Sequence, residues 1–307
     1  MEGELLMVRI PQGQLDLFLA SASEVAPKEH QDLMARCWFN LAKQKRIEPI
    51  NHSFGDNWVK ITGNPKYGIA NIYDNDILLF VISQYMNAIN NGLQTGRRFQ
   101  FTAYEYFKFI GKKKFSGKGY ADLWNSLERL HHTFVETNIR LDKGRRHHSF
   151  NMLSEIRQMS DGDRHRGYEI VIPEWLYESV VEQKIVLTLD EGYFDIRGGL
   201  ERWLYMFARK SSGWQPQGWA EGLYSIYQKS GSRSSFAEFK RAIKRIVDKG
   251  YILGYKVEML ETASRIRERQ TGLHFIRDDE LVELSSTNRF RRGAITWRNA
   301  NGTTSKS

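Results

Sequence analysis

Two stretches of this chain place a helix-turn-helix pattern in front of a pair of strand-like runs. That order constrains the fold more than any other feature. In the first stretch, Ile77, Leu78, Val81, Ile82, Tyr85, Met86 and Ile89 recur at helical spacing after Asp74, and Asn90-Asn91-Gly92 ends the run. Residues 98–101 alternate as a short strand. Thr102 with Glu105 three positions on forms a capping box for a helix running to about Ile110, and Gly111 stops it. Beyond Lys112-Lys113-Lys114-Phe115-Ser116-Gly117-Lys118-Gly119, a further helical stripe carries Tyr120, Leu123, Leu127, Leu130 and Phe134. Strand-like residues 135–141 and 150–156 then flank Lys143-Gly144-Arg145-Arg146-His147-His148, which reads as a hairpin with a cationic tip. Upstream, a helix is expected over residues 28–46 with Leu33, Cys37 and Leu41 inward and Met34 and Trp38 beside them, and strands over 58–62 and 69–73. Downstream, residues 161–167 are a polar break before a strand at 168–172.

The second stretch repeats the order. Residues 197–211 are helical, with Leu200, Trp203, Leu204, Phe207 and Ala208 on one face. Residues 217–229 are helical, with Trp219, Leu223, Ile226 and Tyr227 inward. Gly231 breaks the chain, and residues 232–249 form a third helix with Phe236, Phe239, Ile243, Ile246 and Val247 inward and Gly250 as its C-cap. Strands at 251–260 and 272–277 bracket an Arg-rich loop. The repeat is one of element order, with little residue identity. The expected fold is α+β: two tandem winged-helix domains, each a helix-turn-helix with a β-hairpin wing. The divisions are an N-terminal arm at 1–27, a first domain at 28–165, a second at 166–290 and a disordered basic tail at 291–307. Two domains also suit a length of 307 residues.

Charge narrows the partner. Lysine and arginine number 45 against 36 acidic residues, a net +9. Residues 1–165 contribute 22 − 18 = +4 and residues 166–307 contribute 23 − 18 = +5, so both halves are basic. That distribution fits a long polyanion better than one small acidic ligand. The single cysteine, Cys37, excludes an intramolecular disulfide and a cysteine-built zinc site, and suits a reducing cytoplasm. The longest wholly apolar run, residues 77–82, is far short of the roughly 20 residues a membrane span needs. The first residues lack the basic start and apolar core of a signal peptide. No membrane association is expected.

The third helix of each unit carries the candidate chemistry. On residues 232–249, Ser234, Glu238, Arg241 and Arg245 lie opposite the apolar stripe, with Arg233, Ser235, Lys240 and Lys244 at its edges. Ser232, Ser234 and Ser235 at the helix start suit phosphates, and arginine or lysine one to three turns along suits guanine edges in the major groove. The competing reading is a solvated, salt-laced face. In the first unit, residues 97–118 hold seven basic residues and one acidic. Lys112, Lys113, Lys114 and Lys118 are expected phosphate contacts, and Asn125 and Arg129 candidate base contacts. The plain alternative is a solubilising lysine loop. Lys143, Arg145 and Arg146 in one hairpin loop, and Arg265, Arg267 and Arg269 in the other, are placed for an adjacent minor groove or phosphates.

Enzymatic readings fail. Five residues, not four, separate Gly111 from Gly117, and Gly119 follows Lys118, so no nucleotide-binding loop forms. Adjacent His131 and His132 diverge on a helix, and no pair of histidines flanks a single apolar residue as a metal-dependent nickase requires. No catalytic residue, metal or cofactor is expected. Trp203 and Trp219 read as core, and Trp214 as a loop residue.

Several segments resemble a known family. They are Asp32-Leu33-Met34-Ala35-Arg36 running into Phe39-Asn40-Leu41-Ala42-Lys43, then Tyr73-Asp74-Asn75-Asp76-Ile77-Leu78, then Arg202-Trp203-Leu204-Tyr205 with Ala208-Arg209-Lys210. The most specific is Tyr224-Ser225-Ile226-Tyr227-Gln228-Lys229-Ser230-Gly231-Ser232. Together they resemble the replication initiator protein A group of bacterial plasmids, over residues 32–260. The resemblance implies tandem winged helices that bind repeated sites in double-stranded origin DNA and open the origin with host replication proteins such as a helicase or initiator. It also implies repression of the protein's own promoter and different roles for homodimer and monomer. Tyr251-Ile252-Leu253-Gly254-Tyr255 departs from the proline-containing turn expected there in relatives. Without the resemblance, a winged-helix transcriptional regulator would share every DNA-binding feature.

Overall fold

The computed structural model describes residues 17–20, 25–112, 116–139, 147–162, 164–213, 215, 217–262, 270–278, 297–298 and 304–305. The chain begins with strands β1 (Leu17–Leu19) and β2 (Lys28–His30), helix α1 (Gln31–Ala35) and strands β3 (Ile50–Phe54) and β4 (Asn57–Gly63). The helix expected over 28–46 is thus cut to five residues. Leu33, Met34, Cys37 and Trp38 are buried as expected, but Phe39, which a helix would turn to the opposite side, is buried too. The Asn40 amide donates to the carbonyls of Ala42 (2.8 Å) and Gln44 (2.6 Å), holding an irregular path instead. Residues 69–73 also form no strand. Asp74 accepts from the Asn71 N–H at 2.8 Å and Asn71 Oδ1 from the Tyr73 N–H at 2.9 Å, which turns the chain.

Helix α2 (Asn75–Asn90) follows, nearly all of it buried. Strand β5 (Arg98–Phe101) leads into α3 (Ala103–Phe109), whose Thr102–Glu105 capping box is made in both directions, as the sequence predicts. Then come α4 (Gly117–His131), capped by Ser116, and strands β6 (Thr133–Thr137), β7 (His148–Asn151), β8 (Glu155–Asp161) and β9 (Arg164–Val171). The second half contains α5 (Glu174–Val181), β10 (Val186–Thr188), a 3-10 turn (Glu191–Asp195) and α6 (Gly199–Ser212). It continues with β11 (Trp219–Gly222), α7 (Leu223–Ser230), α8 (Phe236–Val247), β12 (Tyr251–Ile252), β13 (Tyr255–Thr262) and β14 (Gln270–Arg277). In the expected tail, β15 (Trp297–Arg298) pairs with β16 (Thr304–Ser305); the rest of that segment lies outside the described residues.

Strand pairing corrects the reading of the first hairpin. In the second half, β11 precedes α7 and α8 and pairs with β14, the last strand of the β13–β14 hairpin. In the first half, β5 precedes α3 and α4 and pairs with β9, the last strand of the β8–β9 hairpin. The counterpart of β13–β14 is therefore β8–β9. The pair β6–β7, expected as the wing, extends a separate sheet ordered β3-β4-β6-β7. Residues 161–167, expected as a break between units, contain the turn of β8–β9 and lie within one sheet. Close approach explains Gly167: its φ is +148°, and a Cβ there would sit 2.6 Å from the Phe101 carbonyl oxygen on β5.

One apolar cluster runs through both halves. Arg202 on α6 lies buried against Asp76 on α2, its Nη1 at 2.7 and 2.9 Å from the two carboxylate oxygens. Strand β2 pairs with β10, and Cys37 N donates to the Lys229 carbonyl at 2.9 Å. These contacts tie α6 and α7 to the first half before the cationic surface is built.

Candidate nucleic-acid interface

Helix α8 is held from below and stripped of partners above. Phe239, Ile243 and Ile246 are buried, each contributing about 1.5–3 kcal/mol of apolar burial. Ser235 is its N-cap. The Ser235 hydroxyl accepts from the Glu238 N–H, and the Glu238 carboxylate accepts from both the Ser235 N–H and hydroxyl at 2.9 Å. Those bonds, the backbone one foremost, hold the Glu238 carboxyl below the usual range. Ser235 and Glu238, expected at a DNA contact, are therefore committed to the cap.

The helix starts later than its hydrophobic pattern suggests. Ser232, Arg233 and Ser234 lie in the turn ahead of it. The Ser232 and Ser234 hydroxyls bond each other at 2.8 Å, and Tyr227 Oη donates to the Ser234 carbonyl at 2.8 Å. Arg233 pairs with Glu48 at 3.1 Å, and Arg46 donates to the Gly231 carbonyl at 2.6 Å. Gly231 has φ +60°, and a Cβ would meet Ile50 Cγ2 at 2.8 Å, so only glycine fits where this turn rests on β3. The first half thereby sets the position of α8.

Lys240, Arg241, Lys244 and Arg245 occupy the exposed face. Among the described residues none of the four forms an ion pair with a carboxylate, although Arg241 lies near enough to Glu238 to help hold its carboxyl low. Lys240 reaches Thr271 Oγ1 at 3.5 Å, and Arg241 Nε its own Ala237 carbonyl at 3.4 Å. Lys240/Lys244 and Arg241/Arg245 are like-charge pairs one turn apart, each costing a helix about 0.2–0.5 kcal/mol in isolation. Nothing in the fold requires that cost.

Helix α4 is different. Lys118 and Asn125 are exposed, and Lys112 Nζ lies 4.7 Å from the Phe107 ring centre. Arg129 is not free to read a base. Its Nε and Nη2 bind the two oxygens of buried Asp74 at 2.8 and 2.6 Å, and those bonds raise its pKa further. On the β8–β9 sheet, Arg98 and Arg157 are neutralised by Glu169 and Glu155. Lys113, Lys114, Lys143, Arg145, Arg146, Arg265, Arg267, Arg269 and Trp214 lie outside the described residues.

Four aromatic side chains were misplaced by periodicity: Tyr120 and Phe134, 40% and 38% exposed, the latter on β6 rather than α4, and Trp219 and Phe236. Trp219 lies on β11 and is 38% exposed. Phe236 opens α8 and is 36% exposed, because the first residue of a helix projects past the end of the core that Phe239 enters. Trp203 is buried as expected. Among the described residues no group of histidine, cysteine and carboxylate side chains could hold a metal ion, and no helix is long and apolar enough to cross a membrane.

With this geometry in place, comparison with known proteins assigns the chain. The sequence profile of the family described as replication initiator protein A matches residues 28–257. The chain belongs to the replication initiator protein A family. A Wigglesworthia glossinidia brevipalpis protein with a provisional replication-protein name is 34% identical over 211 residues, 67% of this chain and 75% of its own. This supports a role in replication over one in transcriptional regulation. The initiator's fold is also similar to that of domains 2 and 3 of RctB. One crystal structure of them, of selenomethionine derivatives, aligns with a TM-score of 0.56 at 12% identity, over 80% of this chain and 97% of that one. A second gives 0.53 at 13% identity, over 83% and 99%.

Proposed function

We propose that this initiator binds repeated sites in double-stranded origin DNA sequence-specifically, placing α8 in the major groove. The carrying observation is the exposed face of Lys240, Arg241, Lys244 and Arg245, presented without carboxylate partners on a helix that is capped and anchored at its start. Two tandem winged-helix units frame it. The first runs α2–β5–α3–α4–β8–β9, so its end falls after Val171, and the second runs α6–β11–α7–α8–β13–β14. Equivalent pairing of β5 with β9 and of β11 with β14 supports this reading.

In this arrangement Arg241 and Arg245 reach base edges and Lys240 and Lys244 follow phosphates. Lys112, Lys113, Lys114 and Lys118 make phosphate contacts beside α4, where Asn125 remains available to a base. Ser232, Arg233 and Ser234 shape the turn. Binding supplies the energy that bends or melts the origin, and no covalent chemistry is involved. Family membership supports recruitment of a host helicase or initiator, a homodimeric form and repression of its own promoter.

The test compares duplex from upstream of its own coding sequence with shuffled duplex. Arg241→Ala should cost about 1–3 kcal/mol at one base position and relax preference there. Lys244→Ala should weaken all sequences alike and reduce the salt slope by about one. Equal losses on native and shuffled duplex for Arg241→Ala would remove its reading role.

A further inference from the structure

We propose that the first turn of α8 reads thymine through its C5-methyl group, using Phe236 and Ala237; the inference rests on the major-groove placement of α8 above. Phe236 keeps 36% of its surface in solvent although Tyr227 and Tyr224 pack against it, with ring centres 5.4 Å away in both cases. Tyr224 is 58% exposed, and Ala237 is exposed. The buried ring of this helix is Phe239, which packs on Tyr227 with ring centres 5.2 Å apart, while Phe236 lies at the edge.

The patch is continuous with the cationic face. Phe236 and Lys240 are one helical turn apart, as are Ala237 and Arg241, so each apolar residue sits directly ahead of a cation on the same face. A polyanion drawn to the lysines and arginines is thereby drawn over the apolar end. Reading helices in this class of fold present their N-terminal residues to base edges. The apolar group on those edges in the major groove is the thymine methyl, and alanine and phenylalanine are suited to it. The Ser235–Glu238 capping box fixes the backbone at this point, so the direction of the Phe236 side chain is set before DNA arrives.

The experiment uses the full chain and a pool of random-core duplexes. The best-bound duplex is selected, and each thymine in turn is replaced by deoxyuridine, which lacks only the methyl. One or two neighbouring thymines should each lose about four-fold in affinity, the worth of one buried methyl. In Phe236→Ala, whose methyl is too short to reach from that position, the loss should vanish at the thymine that Phe236 touches and remain at one touched by Ala237, whereas Phe236→Leu and Lys244→Ala should retain both, Lys244→Ala with weaker binding overall. Phe236→Leu is the apolar control; if the alanine variant unfolds, Phe236→Gln, of similar reach but polar at its end, replaces it and should lose the same penalty. A selected duplex in which every thymine tolerates deoxyuridine, or penalties all unchanged in Phe236→Ala, overturns the proposal while leaving α8 as a reading helix. Failure of any duplex to enrich overturns the α8 reading itself.

Discussion

Arg129→Ala separates structure from recognition at the residue where sequence and fold disagree most. Arg129 binds both oxygens of Asp74, and the Asp74 side chain is 1% exposed while that of Arg129 is 27% exposed. Removing one partner of a fully buried pair costs about 3–5 kcal/mol, because the other charge is stranded. Water reaches Arg129 from one side, and Asp74 keeps the Asn71 N–H and its place at the start of α2. The expected loss is therefore about 2–3 kcal/mol, below that range, because neither charge is left wholly without water or a donor. Urea unfolding followed by tryptophan fluorescence measures it. Asp74→Asn combined with Arg129→Ala should recover part of the loss, since no buried carboxylate remains. At a temperature where the variant is folded, its base preferences should match those of the parent. A variant as stable as the parent to within about 0.5 kcal/mol, and altered at one base position, would refute the argument and return Arg129 to the DNA.

Ser235→Ala removes the α8 cap and should cost about 1 kcal/mol in thermal unfolding, with weaker duplex binding; unchanged stability would show that the cap is dispensable. Arg202→Met strands Asp76 between the two halves, and a loss of about 3–5 kcal/mol is expected in urea unfolding, whereas a neutral result would mean that water solvates this pair. Burial pushes the Glu29 carboxyl up to about 8 from its ordinary 4.5. The folded protein then holds a proton that the unfolded chain releases across that window, so stability should fall as pH rises from 4.5 to 8, by at most about 1.4 kcal/mol per unit from this group. Glu29→Gln should remove that component of the slope, and an identical pH profile in the variant would locate it elsewhere.

Periodicity revealed the elements whose burial is one-sided. The α3 capping box, the Leu123, Leu127 and Leu130 stripe of α4 and the β13–β14 hairpin are where local pattern placed them, because helix caps and single-face burial are local properties; Tyr120 and Phe134, counted in that stripe, are exposed, and Phe134 belongs to β6. Residues 28–46 misled because their apolar side chains are buried in several directions, which turns a helical count into a wound, irregular path. Trp219 and Phe236 misled because a strand of four residues and the first turn of a helix carry too few positions to fix a face. The hairpin expected behind α4 was placed at β6–β7 because pairing of β5 with β9 joins residues some 70 positions apart, and nothing local distinguishes β6–β7 from β8–β9. For the site, charge density alone marked both α8 and the segment before α4. It could not separate Arg241, which among the described residues has only the capped Glu238 nearby and no ion pair, from Arg129, whose partner lies 55 residues away in sequence.

A salt titration of binding tests the central claim most directly. The full chain would be measured on duplex from upstream of its own coding sequence and on shuffled duplex of equal length. Affinity for both should fall steeply with salt, as several released counterions require. At physiological salt the native duplex should bind about a thousand-fold or more tightly. Equal affinity for the two, at every salt concentration, would contradict sequence reading by α8 and leave only a cationic surface.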